Sequence, residues 1–218
     1  MQNALLEYIN TPTRFPPSRV ISHTDSFVVI HDLYPKSSVH LLLLPRDPSK
    51  YLLHPFDAFS DAAFLSSVCA QLAPLRKLAA AELRRKYGRY SQSDARRNDA
   101  LEADPPSDEL PPGRDWEAEI LAGVHAHPSM NHLHVHVLSR DRVSECMRHR
   151  KHYNSFATEF LVPIEDFPLT QDDKRRQPGR EGYLERDLKC WRCGREFGRK
   201  FKELKEHLEE ELESWKRL

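Results

Sequence analysis

Residues 132–138 read His-Leu-His-Val-His-Val-Leu. Polar and apolar side chains alternate without a break, and a period of two belongs to a β-strand. Leu133, Val135 and Val137 must then point into a core, while His132, His134 and His136 leave the other face about 6–7 Å apart. Such a strand cannot stand alone. It requires a sheet with one face buried and the other lined by imidazole, a group that titrates near neutral pH, attacks electrophiles and, as a cation, binds anions. A row of three suits phosphate chemistry or a metal ion, and the spacing alone leaves both open.

The 218 residues give room for one medium domain and a small one. Formal net charge is zero, but its distribution is lopsided: Ser91 to Ile120 holds nine acids against three bases, and Lys174 to Lys205 holds twelve bases against five acids. A basic segment in a chain with a histidine row suggests a polyanionic partner, although a solvated linker has the same composition. No apolar run is long enough to span a bilayer. Met1-Gln2-Asn3-Ala4 lacks the basic-then-apolar pattern of a signal peptide. Cys190 and Cys193 form a CxxC pair while Cys69 and Cys146 stand apart, which fits a reducing compartment and one metal pair.

The coarse pattern is α+β. A short helix over 4–9 is followed by strands at 27–31 and 39–44, a hairpin of antiparallel type. Residues 57–87 are helical in composition, and Pro74 should kink or split that helix. Residues 89–116, with Asp104-Pro105-Pro106 and Pro111-Pro112-Gly113, read as a long, partly disordered, acidic surface insertion. Further strands are expected at 119–126, 133–138 and 156–164, and a charged helix at 201–215. The resulting division is a domain over 1–165, a linker over 166–182 and a small domain over 183–218.

In the small domain, Cys190-x2-Cys193 is followed by thirteen residues, His207, three residues and Glu211. His207 and Glu211 lie one helical turn apart and share a face, as two ligands must. This set suits a structural zinc ion, which would substitute for a core too small to fold alone. Glu210 is the alternative fourth ligand, with a poorer aim. Arg192, Arg195, Arg199 and Lys200 surround the site and suit DNA phosphates without reading sequence.

The run Val124-His125-Ala126-His127-Pro128-Ser129-Met130-Asn131-His132-Leu133-His134-Val135-His136 resembles the histidine-triad nucleotide-binding family, and within it the aprataxins. His31 to His40 and Lys151 to Phe156 carry the same resemblance, as does the order of domains. The resemblance is to the fungal type, which lacks a forkhead-associated domain. It implies a histidine-triad antiparallel sheet flanked by helices, and a C-terminal zinc finger with glutamate as fourth ligand. It also implies hydrolysis of 5′-adenylated DNA ends left by abortive ligation, with AMP as product.

On that reading His134 is the nucleophile and forms a covalent AMP-histidine. His132 holds its tautomer, in part through the backbone carbonyl. His136 and Ser129 bind non-bridging phosphate oxygens, and His125 protonates or binds the leaving phosphate. Lys36 shapes the pocket, Asp32 accepts the ribose hydroxyls, and His31, Phe27 and Ile30 line the base pocket. His40 and His127 are read as structural. Arg140, Arg142, Arg148 and Lys151 form a basic edge that clamps double-stranded, nicked DNA, and Tyr8 or Leu5 wedges against an exposed base. A nuclear location is implied, with the cytoplasm also open, and a single chain on the DNA. A metal at the histidine row is disfavoured because no carboxylate lies within Val124 to Ser139. The remaining alternatives are a hydrolase of free dinucleoside polyphosphates or AMP-amines, and a non-catalytic zinc-dependent DNA-binding module.

Overall fold

The computed structural model describes residues 3–105 and 108–218. Met1, Gln2 and Pro106, all used in the sequence reading, lie outside them. Six antiparallel strands form one sheet in the order β1-β2-β3-β5-β4-β6: β1 (Val20–His23), β2 (Phe27–His31), β3 (His40–Pro45), β4 (Ile120–His125), β5 (Val135–Ser139) and β6 (Leu161–Pro163). The helices around this sheet are α1 (Leu6–Asn10), α2 (Pro55–Ala58), α3 (Ala62–Tyr87), α4 (Gln92–Glu102) and α5 (Arg150–Ala157). A short α6 (Pro178–Glu181) leads to a two-stranded knuckle, β7 (Leu188–Lys189) with β8 (Glu196–Gly198), and to α7 (Phe201–Trp215).

Period-two alternation sorts the sheet into two faces. Phe27, Val29, Leu41, Leu43, Val135 and Val137 point one way and pack with the α3 residues Val68, Leu72, Leu75, Ala79 and Leu83. Val28, Ile30, Leu42 and Leu44 point the other way, beneath Leu5 and Ile9 of the N-terminal segment. The second face continues across β5 and β4 with His136, Leu138 and His125, and this half carries the candidate site.

Four expectations need correction. α3 is one helix of 26 residues that runs through Pro74. Both Pro74 and Ala70, whose carbonyl loses its helical donor there, lie on the exposed side, so the orphaned carbonyl is open to solvent and the lost bond costs little. The 89–116 stretch contains α4, begun by Ser91, whose side chain caps the Asp94 N–H. Phe156 belongs to α5, not to a strand, and only residues 161–163 pair with β4. The 166–182 segment is no loose tether, because Phe167 and Leu169 are buried in the main core.

Candidate active site

The register of three neighbouring strands assembles the site. His136 lies opposite Leu42 on β3 and opposite Gly123 on β4, so His40, His125 and His136 share one face. A side chain at Gly123 would meet the Val162 carbonyl at 2.6 Å, and only glycine lets β6 approach there. The ladder of β5 begins at Val135, which corrects the expected strand start. Leu133 N–H donates to the Tyr51 carbonyl at 2.7 Å, and residues 132–134 thereby leave the sheet. His132 reaches the site through its backbone: its carbonyl lies 2.7 Å from His134 Nδ1.

Hydrogen-bond roles fix the tautomers, because a backbone N–H only donates and a carbonyl only accepts. His134 Nδ1 must carry a proton to bond the His132 carbonyl, which leaves Nε2 with its lone pair. The Lys36 N–H donates to His40 Nδ1 at 3.0 Å, so the His40 proton sits on Nε2. That proton is given to His136 Nδ1 at 3.0 Å, and the His136 proton is then on Nε2. Among the described residues, His136 Nε2, His125 Nε2 and His132 Nδ1 are buried and have no hydrogen-bond partner. His134 thus offers a nucleophilic nitrogen and His136 an N–H donor that no described residue accepts.

Burial keeps these rings neutral. It pushes His40 down to about 4 and His125 to about 3; Asp32 opposes the effect at His40, and the His134 and His40 rings reinforce it at His125. His136 is held well below its ordinary value and His134 is lowered, both by burial first. Phe156 is a shared cause. Its ring packs against His125, His136 and His40 with centroids 4.7, 5.1 and 5.4 Å away. Arg142 holds Phe156 in place, donating to its carbonyl from Nε at 3.2 Å and Nη2 at 2.8 Å. Arg142 is buried, which removes it from the expected basic edge.

Other predicted residues divide by face. Lys36 lies in the turn after β2, its ammonium on the Tyr34 carbonyl and its pKa lowered by burial against the pull of Asp32. Asp32 accepts the Tyr34 N–H at 2.7 Å and stands 3.5 Å from His40 Nε2. Ser129 is exposed in the loop that precedes His132. Ile30 is on the site face, but Phe27 and His31 are not. They differ from Ile30 by odd steps, so Phe27 lies in the core under α3, and the exposed His31 has Glu82 and Lys86 of α3 as charged neighbours. Neither lines a pocket with Ile30. Tyr8 stacks on Phe15 at 4.2 Å, and Leu5 is buried, which leaves Leu5 unfit as a wedge.

Asp32, His40 and His136 place ligand atoms within 4.8 Å of one another, so the carboxylate that the sequence lacked nearby comes from the hairpin. The tautomer nevertheless opposes a metal here. His40 Nδ1 accepts the Lys36 N–H, and its Nε2 therefore holds a proton where a metal needs a lone pair.

The second cluster has no such obstacle. Cys190, Cys193, His207 and Glu211 also offer atoms within 4.8 Å of one another. Cys193 Sγ lies 3.2 Å from His207 Nε2, near the ~3.5 Å edge of a zinc tetrahedron built from ordinary Zn–S and Zn–N lengths. Glu211 Oε1 is 3.4 Å from the same nitrogen, whereas Glu210 approaches the other one, Nδ1, and its side chain is 80% exposed. Arg192 pairs with Glu211 and, with backing from Cys193, keeps its carboxyl ionised. Arg192, expected among the phosphate-binding residues, is thus paired with a carboxylate. Lys151 pairs with Glu185 and Lys200 with Glu203, at 2.7 and 2.9 Å. Arg195 lies over the Phe197 ring, and Arg199 is exposed.

Sequence reasoning missed His40. The signal was present: it stands two residues before Leu42, on the strand beside β5, and so on the face of His136.

An antiparallel sheet with converging histidines, joined to a metal knuckle, defines a histidine-triad protein with an appended finger. A HIT domain matches residues 14–143, and a C2HE / C2H2 / C2HC zinc-binding finger matches residues 157–214. An aprataxin-like protein of Schizosaccharomyces pombe is 35% identical, over 95% of this chain and 80% of its own length. One of Saccharomyces cerevisiae is 34% identical, over 97% and 95%. The aprataxin ortholog Hnt3, solved in complex with DNA, superposes with a TM-score of 0.76 at 31% identity, covering 98% of this chain and 96% of that one. Hnt3 with DNA and guanosine gives 0.74 at 30% identity, over 97% and 95%. The chain belongs to the aprataxin-like family.

Proposed function

We propose that the chain is a DNA 5′-adenylate hydrolase, which removes AMP from adenylated 5′-phosphates at nicks and restores an end that can be ligated. What supports this reading most is the protonation pattern: His134 has its Nδ1 proton committed and its Nε2 lone pair available, beside an unpartnered His136 N–H.

His134 Nε2 attacks the α-phosphorus of the adenylate. A P–N bond forms, the pyrophosphate P–O bond breaks, and the DNA 5′-phosphate departs. His136 Nε2–H and Ser129 receive the non-bridging oxygens, where charge gathers in the transition state. Burial keeps His125 neutral. The bound pyrophosphate favours its imidazolium form, which gives its proton to the leaving phosphate. Water then attacks the same phosphorus and passes its proton to His125; a P–O bond forms, the P–N bond breaks to return neutral His134, and AMP leaves. Lys36 adds positive charge, and Asp32 faces the ribose. Cys190, Cys193, His207 and Glu211 hold zinc, which orders the knuckle when bound, and Arg195, Arg199, Lys200 and Lys151 meet duplex DNA. The Hnt3 complexes with DNA favour a nucleic-acid substrate over a free nucleotide.

A single-turnover assay on nicked duplex carrying a 5′-AMP tests this reading. Wild type should release AMP, and acid quenching should trap AMP on the protein. His134→Ala should give neither. Hydrolysis of a dinucleoside polyphosphate with no action on the nick would replace this reading with that of a small-nucleotide hydrolase.

A further inference from the structure

The 89–116 stretch has no place in the chemistry, yet it is built with care. Asp94 of α4 is 4% exposed; it accepts the Trp116 indole N–H at 2.9 Å and the Arg114 N–H at 3.1 Å, and it pairs with the Arg84 guanidinium of α3 at 3.3 Å. A Cβ at Gly113 would stand 2.9 Å from that carboxylate, so the loop closes against it only with glycine. The stretch is thereby fixed to the catalytic domain.

It is equally fixed to the finger. The Arg114 guanidinium lies between two indoles, 4.3 Å from the Trp116 ring and 4.5 Å from the Trp215 ring. It donates to the Trp215 carbonyl at 2.8 Å and to Glu119 at 3.0 Å, and Glu119 takes the Trp215 indole N–H at 3.1 Å. The first turn of α4 meets the end of α7: Gln92 N–H donates to the Arg217 carbonyl at 3.0 Å, and Ser93 Oγ to the Leu218 carbonyl at 2.9 Å. Helix α7 also carries His207 and Glu211, the latter one turn before Trp215.

We propose that the described part of this stretch, 89–105 and 108–116, forms a bracket that sets where the finger stands relative to the histidines, with Arg114 as its positioning residue. The inference rests on the DNA-end reading above. One duplex must touch the knuckle's bases and His134 together, and a finger free to swing would lose that joint grip. The flat, always-charged guanidinium suits the place because it stacks on both faces and donates in its plane; an ammonium does neither.

The test compares Arg114→Lys and Arg114→Ala with the parent chain. Binding to nicked duplex is measured in a His134→Ala background, AMP release from diadenosine tetraphosphate in the active background, and amide exchange across 205–215 in both. The expected result is about a tenfold loss of DNA affinity for both variants, no rescue by lysine, faster exchange across 205–215, and unchanged turnover of the small nucleotide. Full affinity in variants with faster exchange overturns the bracket's role. So does a parallel loss on both substrates, which would make Arg114 a general support of the catalytic fold. Failure of the parent chain to bind DNA sinks the DNA-end reading instead, and the bracket's role in presenting DNA falls with it.

Discussion

The Lys36 backbone N–H donates to His40 Nδ1 over 3.0 Å, and through that bond the turn after β2 dictates which nitrogen of a neighbouring ring is protonated. His40→Phe keeps a ring of similar bulk but removes the proton given to His136. His136 is then free to turn or change tautomer, and its phosphate-facing N–H is no longer guaranteed. The expected loss in kcat on adenylated DNA is about 10²-fold, the usual effect of losing one preorganised donor, with KM little changed. A kcat equal to that of the parent chain would sink the relay.

The pH profile follows from the depressed histidines. A nucleophile must be neutral, and burial holds His134 below its ordinary value, so the acid limb of kcat/KM in the free protein should lie below pH 6.5. Phe156→Ala lets water reach the His40, His125 and His136 rings and should raise their pKa values toward the unperturbed one, as read by NMR titration of the ring protons. Rings whose titrations stay put would show that Phe156 contributes nothing to their desolvation.

The same rings make stability sensitive to acid. Their folded pKa values lie below the unfolded one, so the unfolded chain binds more protons once pH drops under about 6.5. Stability is therefore complete above that pH and is lost as pH falls toward the folded values of about 4 for His40 and about 3 for His125. His40 alone corresponds to on the order of 3 kcal/mol over this window. Thermal melts from pH 7 to 4 should show a steep fall in Tm, and His40→Phe should flatten it.

At the metal cluster, Glu211→Gln should reduce bound zinc and lower Tm, while Glu210→Gln should leave both at parent values. The measurement is metal content by atomic absorption together with a melt. Equal effects of the two substitutions would remove Glu211 as the fourth ligand.

Trp215 is 2% exposed and belongs to the core that holds the sheet to α3. Trp215→Ala should cost about 3–5 kcal/mol, the range for emptying a buried aromatic site. Removal of 183–218 should accordingly unfold the catalytic domain, so point substitutions are the cleaner probe of the finger. A truncated chain with a cooperative melt near the parent Tm would refute this.

What was legible in the sequence was whatever depends on local periodicity. The alternation at 132–138 gave β5 and its buried face, and one-turn spacing in α7 separated Glu211 from Glu210. What was not legible depends on cross-strand register. His40 looked peripheral because its partner is 96 residues away, and Phe27 and Ile30 looked like pocket mates until their opposite parity on β2 was considered. Pro74 misled because a proline penalty is small where the orphaned carbonyl faces water. The α4 segment of the proline-rich 89–116 stretch was not legible because the partners that hold it, Arg84 of α3 and, through Arg114, Trp215, are distant in sequence, and composition cannot register them.

The place of Trp215 in that core has a consequence for how the chain is made. Synthesis runs from the amino end, and all six strands leave the ribosome before α7 does. Until then the main core lacks the Trp215 indole, and Arg114 lacks one of its two ring contacts. The growing chain must therefore keep a nearly complete sheet-and-helix half waiting until α7 arrives to close it.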